Sequence, residues 1–279
     1  MRLQRTAGIL LATALVPTLL AACGGSDSGD KVASDCKPKH TFNTVTKGTL
    51  TVAGYDLPPY GTLKDGKPGG IDMDILAEIA KRECLTVTPK WMAPAAVIPT
   101  VQSNRADTGV PDWYRTAARA EIVALTDPMY QDEMGISSKT GISKISDLTG
   151  KKVGTVDGYL WVADLKKYLG STLKIYPSTV NLNQDLKAGR IDIAVDSYGS
   201  QKVTNPDNKV TIAEPEPSVA ASKEPAQAAF PVPKSNTALL AAFNANIADM
   251  RKDGTLAKIV KANGLEEKIV EVGAPRLIK

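Results

Sequence analysis

The sequence predicts an α/β fold in two lobes, each a parallel-type sheet flanked by helices. Two observations carry this expectation. Short β-rich runs alternate with helix-period runs along most of the chain, and the pattern restarts after Gly150. At 279 residues with 43% hydrophobic side chains, the chain is long and apolar enough for one large core or two ordinary ones.

In the first lobe Leu50-Thr51-Val52-Ala53 reads as a strand. Asp72 stands where a helix N-cap belongs. Ile75, Leu76, Ile79 and Ala80 follow at helical spacing, and Lys81 and Arg82 occupy the last turn, where cations are favoured. Leu85 to Thr88 is the next strand, Pro94 to Gln102 a helix and Ala106 to Val110 a third strand, completing βαβαβ. After Gly150, strands are expected at Lys151 to Val156, Leu173 to Tyr176 and Ile191 to Val195, with helices at Trp161 to Leu169 and Val180 to Ala188. The Pro- and Glu-rich piece from Ala213 to Pro225 is a surface loop, followed by extended chain through Val232. Ser235 is expected to cap a long helix carrying Leu239, Leu240, Phe243, Ile247 and Met250. Gly254 ends it, and a short helix from Thr255 to Ala262 stops at Gly264.

The N-terminus carries an address. Arg2 and Arg5 precede a charge-free stretch from Ala7 to Leu20, closed by Ala21-Ala22-Cys23. A permanent bilayer helix needs about 20 apolar residues, so residues 1–22 are expected to be a cleaved secretory signal with Cys23 as a lipid-attachment site. Gly24-Gly25-Ser26-Asp27-Ser28-Gly29-Asp30 reads as a flexible tether, making 23–36 a lipid-anchored linker. An ordinary signal peptide followed by a chance cysteine is the alternative. Cleavage lowers the formal charge from +4 to +2. Lysines alternate with acids rather than clustering on one face, so no nucleic-acid partner is expected. In an oxidising compartment Cys36 and Cys84 are expected to pair, since each precedes a strand that begins at the same sheet edge.

Several segments in order resemble the family 3 extracytoplasmic solute-binding proteins of ABC importers, in their amino-acid-binding branch. They are Leu50-Thr51-Val52 to Pro58-Pro59-Tyr60; Gly70-Ile71-Asp72-Met73-Asp74-Ile75-Leu76; Ile98-Pro99 with Ala106-Asp107; and Arg119 followed by Thr126-Asp127-Pro128. Asp147-Leu148-Thr149-Gly150-Lys151-Lys152-Val153-Gly154, Ala188-Gly189-Arg190-Ile191-Asp192 and Met250-Arg251-Lys252-Asp253-Gly254-Thr255 complete the set. The resemblance implies a two-lobed type II periplasmic-binding fold with crossover strands near Tyr130 to Ser137 and Ala226 to Val232. It divides the chain into lobe 1 (37–133 and 230–270), lobe 2 (138–225) and a C-terminal tail (271–279).

The same resemblance implies the site. Arg119 matches the arginine that grips a ligand carboxylate, for which a guanidinium offers two parallel donors; the alternative is a surface arginine, as Arg115 is expected to be. In the loop Gly109-Val110-Pro111-Asp112-Trp113-Tyr114 the chain departs from the family's small hydroxyl residues. Tyr114 replaces a Ser or Thr and Asp112 adds a negative charge, unless Asp112 caps a turn and Trp113 packs into the lobe. Asp157-Gly158-Tyr159-Leu160-Trp161 replaces the family's Gly-Thr-Thr turn, which puts Tyr159 or Trp161 at the cleft, or Trp161 in its helix core. Asp196 or Ser197 takes the position of the ammonium-binding aspartate. Leu57 replaces a stacking aromatic, with Tyr60 nearby. All three tryptophans, Trp91, Trp113 and Trp161, are expected in or beside the cleft, giving an aromatic, acidic pocket suited to a zwitterion or cationic amine.

The expected role is capture of a small polar solute for an ABC transporter permease, by a monomer anchored outside the cytoplasm and without metal or cofactor. A secreted dehydratase-like enzyme on the same fold is the alternative. Its base is the missing evidence, because the one histidine, His40, lies in the N-terminal extension, leaving Asp112, Asp157 and Asp196 for acid–base work. A receptor's sensing module would need an attached signalling segment, and the sequence ends at Lys279 without one.

Overall fold

Apolar side chains on both faces of a strand require cover on both faces, and Leu50, Val52 and Ala53 of strand β1 (Thr49–Gly54) are fully buried at the centre of the first sheet. The computed structural model describes residues 32–33 and 35–279. The stretch expected to be a secretory signal and Cys23 lie outside the described residues. After β1 come the hairpin β2 (Thr62–Lys64) and β3 (Lys67–Gly69), helix α1 (Ile71–Arg82), β4 (Thr86–Trp91), α2 (Pro94–Gln102) and the short β5 (Thr108–Gly109). The sheet order is β4-β1-β5, all parallel. The expected strand from Ala106 to Val110 shrinks to β5 because the Asp107 carboxylate takes the Thr51 and Val45 N–H groups, each at 2.7 Å.

The chain continues through α3 (Ala117–Ala120), β6 (Ala124–Leu125), β7 (Tyr130–Asp132) and β8 (Met134–Ser138), then β9 (Val153–Val156), α4 (Val162–Leu169), β10 (Leu173–Tyr176) and α5 (Thr179–Lys187). Next are β11 (Ile193–Ser197), α6 (Tyr198–Thr204), β12 (Lys209–Ile212), β13 (Ala226–Ala228), β14 (Pro231–Val232), α7 (Thr237–Lys252) and α8 (Thr255–Ala262). The second sheet runs β10-β9-β11-β8-β12 and is mixed, since β8 is antiparallel to both β11 and β12. The reading of this sheet as parallel-type thus holds for β10, β9 and β11. Strand β8 enters straight from β7 through Glu133, so it arrives from the first lobe and runs against its neighbours.

Strands β7 and β13 pair antiparallel from Ala226↔Asp132 to Ala228↔Tyr130, between the two sheets. The C-terminal segment is stitched across them. Gln227 Nε2 donates to the carbonyls of Val272 (2.7 Å) and Ala274 (2.8 Å), and Ile278 exchanges backbone hydrogen bonds with Arg115 and Ala117.

Two caps differ from the sequence expectation. Gly70, at φ 94°, is the N-cap of α1, because an added Cβ would meet the Pro59 and Tyr60 carbonyls at 2.8 Å. Asp72 is instead fully buried and turned inward. Helix α7 is capped by Asn236, which accepts the Leu239 N–H at 3.2 Å, because Asn236 N–H closes a turn onto Pro233 that leaves Ser235 outside.

The Cys36–Cys84 disulfide closes a loop of sequence separation 48 and holds the N-terminal extension to the end of α1. Beside it, His40 and Asn246 both bond the buried Glu83 carboxylate, at 2.6 Å each, tying the extension to α1 and α7. On the loop-entropy account this cross-link contributes about 4 kcal/mol. Replacing both Cys36 and Cys84 with Ser should lower the urea-derived unfolding free energy by about that amount. An unchanged unfolding midpoint would show that the cross-link constrains nothing in the unfolded chain.

Candidate ligand site

The carboxylate of Asp72 builds the site's first wall. Its two oxygens accept the Tyr130 hydroxyl at 2.7 Å and the Asp112 backbone N–H at 2.8 Å, so one buried acid joins α1, β7 and the loop after β5. Asp112 adopts φ 53°, a left-handed conformation that aspartate tolerates better than most residues. From there the chain zips along the crossover: Ala229 N–H donates to Trp113 O, and Arg115 N–H to Gln227 O. Tyr114 is buried and donates its hydroxyl to Asp132 at 2.7 Å.

Helix α3 delivers Arg119. Thr116 caps it by accepting the Arg119 N–H at 3.1 Å, and the guanidinium returns over the Trp113 ring, 4.7 Å from its centroid, with Nη1 donating to Tyr114 O at 2.8 Å. Burial lowers the Arg119 pKa, opposed by Tyr55, Tyr114 and Asp112. Arg115 is committed elsewhere, to the carbonyls of Leu125, Thr126 and Arg276. Asp112 keeps its Oδ1 buried without a hydrogen-bond partner. Burial pushes its pKa well up, with Asp132, Asp72 and Asp196 adding to the effect. No ion pair joins Asp112 to Arg119 among the described residues.

The opposite wall comes from the turn into α4 and the end of β11. Tyr159, Leu160, Trp161 and Ser197 line the cavity together with Tyr55 and Leu57 from the first lobe. The rings of Tyr159 and Trp161 meet edge to face at 5.5 Å, and Tyr159 lies 6.2 Å from Tyr55. Trp161 donates Nε1 to Thr155 at 2.7 Å, so it serves both core and wall. Asp196 sits behind this wall with every oxygen engaged: Oδ1 accepts Ser197 N–H at 2.7 Å, and Oδ2 accepts Thr179 at 3.0 Å and Gln201 at 3.2 Å.

The cavity is narrow, with a volume of ≈ 20 Å³. That is room for on the order of one water, so a solute enters only if the walls part. Two glycines let the walls approach this closely. A Cβ on Gly158 would lie 3.0 Å from the Ala95 backbone, and one on Gly199 would lie 2.2 Å from the Tyr60 hydroxyl. Tyr60 is itself stacked on Tyr130, with centroids 5.3 Å apart.

The profile of the bacterial extracellular solute-binding proteins, family 3, matches residues 50–265. The chain belongs to that family. A probable ABC transporter extracellular-binding protein of Bacillus subtilis, YckB, is 30% identical over 206 residues, covering 70% of each chain. The L-cystine-binding protein TcyJ of Escherichia coli is 28% identical, covering 75% of this chain and 80% of its own. A Streptococcus pneumoniae ABC uptake substrate-binding protein, solved with histidine, shares the fold at TM-score 0.71 and 20% identity, over 81% of this chain and 96% of that one. The family is extracytoplasmic and binds solutes rather than transforming them.

In this solute-binding protein the cavity gathers Arg119, Asp112, Trp113, Tyr114, Tyr159, Trp161 and Ser197 of the residues expected from sequence. Tyr60 and Asp196 lie behind the lining, and Trp91 packs over Gly54. Sequence reasoning passed over Tyr55. Its signal was position, since it directly follows the carboxyl end of β1, the end at which open α/β sheets bind ligands.

Gly199→Ala should hold the walls apart. The binding protein should keep its fold, weaken solute binding at least tenfold, and show a larger radius of gyration by small-angle scattering; adding Tyr60→Phe, which removes the obstructing oxygen, should restore part of the affinity. Unchanged affinity in Gly199→Ala would mean that this contact takes no part in closure.

Burial pushes Asp72 and Asp196 from the ordinary 3.8 up to about 7. Between these values the folded chain holds protons that the unfolded chain has released. The stability they contribute is therefore full below about pH 4 and lost as pH rises through about 7, by at most about 1.4 kcal/mol per pH unit per group. The urea midpoint should be higher at pH 5 than at pH 8, and Asp72→Asn should flatten that slope. A midpoint that rises across the same range would contradict the assignment.

Proposed function

We propose that the protein captures an amino acid outside the cytoplasm and delivers it to an ABC permease, working as a monomer held at the membrane by lipid on Cys23. The carrying observation is the pair of unmatched opposite charges at one cavity: Asp112 has a buried oxygen without a partner, and Arg119 spends one nitrogen on Tyr114 O. A zwitterion satisfies both, its carboxylate on the Arg119 guanidinium and its ammonium on Asp112. Relatives named for binding cystine and arginine support the reading. Closure over the solute is a hinge at the paired crossovers β7 and β13.

Removing one member of a desolvated charge pair costs about 3–5 kcal/mol. Arg119→Ala should therefore weaken amino-acid binding about one hundred to several thousand-fold in isothermal titration, and Asp112→Asn should weaken it in the same direction. Normal binding by Arg119→Ala would remove the carboxylate role. For the anchor, Cys23→Ala should move the protein from the membrane fraction to the soluble or unprocessed precursor pool, and full membrane retention would exclude lipid at that residue.

A further inference from the structure

We propose that the solute is an amino acid with an apolar or aromatic side chain, and that lysine- or arginine-like side chains are rejected. This rests on the amino-acid reading above and follows from the distribution of charge around the cavity. The lining carries one basic residue, Arg119, and one acidic residue, Asp112, and the two ends of a zwitterion use both. Besides Trp113, which Arg119 covers, and Tyr114, whose hydroxyl is held by Asp132, what remains of the wall is Tyr55, Leu57, Tyr159, Leu160 and Trp161, aromatic or aliphatic throughout, with Ser197 as the small polar exception.

A cationic side chain needs a further acid, and the second lobe withholds the one it has. Asp196 accepts three hydrogen bonds, from Ser197, Thr179 and Gln201, and lies behind Ser197 rather than in the lining. Asp132 is equally committed, accepting the Tyr114 hydroxyl and, at 3.4 Å, the Gly199 N–H. The tyrosine hydroxyls are also spoken for: Tyr159 pairs with Thr179 at 3.0 Å and Tyr55 donates to the Pro111 carbonyl at 3.2 Å. A side-chain ammonium or guanidinium closed into this wall would lose its water and find no counter-charge, the situation that burial penalises most. The most favourable faces for a cation are reduced as well, since Arg119 already covers Trp113. An aliphatic or aromatic side chain gains from the same surface, because burying each methylene away from water is favourable and the rings of Tyr55 and Tyr159 offer edge and face contacts.

The test is isothermal titration of the purified protein, freed of bound solute by unfolding and refolding, with L-leucine, L-phenylalanine, L-lysine, L-arginine and L-glutamate. Leucine or phenylalanine should bind at least tenfold more tightly than lysine, arginine and glutamate. Arginine or lysine as the tightest ligand would overturn the side-chain assignment and leave the amino-acid reading standing. No binding by any of the five would overturn both. As a second variant, Leu160→Asp places a carboxylate in the half-buried wall, and should shift the lysine-to-leucine affinity ratio toward lysine by tenfold or more. An unchanged ratio would overturn the proposal, because it would mean that the solute's side chain does not meet this wall.

Discussion

The carboxylate of Asp72 is the constraint on which the site depends. It is fully buried, and it accepts one hydrogen bond from the loop that carries Asp112 and one from the crossover residue Tyr130. Helix α1, the loop after β5 and the crossover strand β7 thereby share one fixed point. Moving Asp112 requires breaking a buried hydrogen bond. Breaking it also frees the segment from Trp113 to Arg115, whose backbone runs along β13, and through Tyr114 O the seat of the Arg119 guanidinium. Arg119 and Asp112, the two charged residue types of the lining, are thus positioned by an acid that does not line the cavity.

The second lobe contributes shape more than charge. Its acid, Asp196, is spent internally on three donors, while Tyr159, Leu160 and Trp161 supply surface. On the proposed reading, charge recognition belongs to the first lobe, and the second lobe closes over the solute and reads its side chain. Gly158 and Gly199 permit that closure, because at both positions the facing chain comes nearer than a Cβ allows.

Much of this was legible in the sequence. Alternating β-rich and helix-period runs located most of the elements in both sheets, and the loop from Gly109 to Tyr114 stood out because Asp112 and two aromatics break its expected chemistry. The antiparallel β8 was hidden, since a five-residue strand beside a crossover carries no periodicity that separates it from the crossover itself. Asp72 was misread as a cap because an acid at a helix start has the same local signature whether it bonds its own helix or a distant loop. Only tertiary structure distinguishes the two. The silence of Asp196 was invisible for a similar reason: its partners Thr179 and Gln201 lie on other elements, and nothing in the strand's own sequence reports them.

The most direct measurement of this account is a crystal structure of the protein with the solute that co-purifies with it. The account predicts an amino acid whose carboxylate lies within hydrogen-bonding distance of the Arg119 guanidinium and whose ammonium meets Asp112, with its side chain against Tyr159, Leu160 and Trp161. A solute that touches neither Arg119 nor Asp112, or one whose ammonium is held by Asp196, would contradict it.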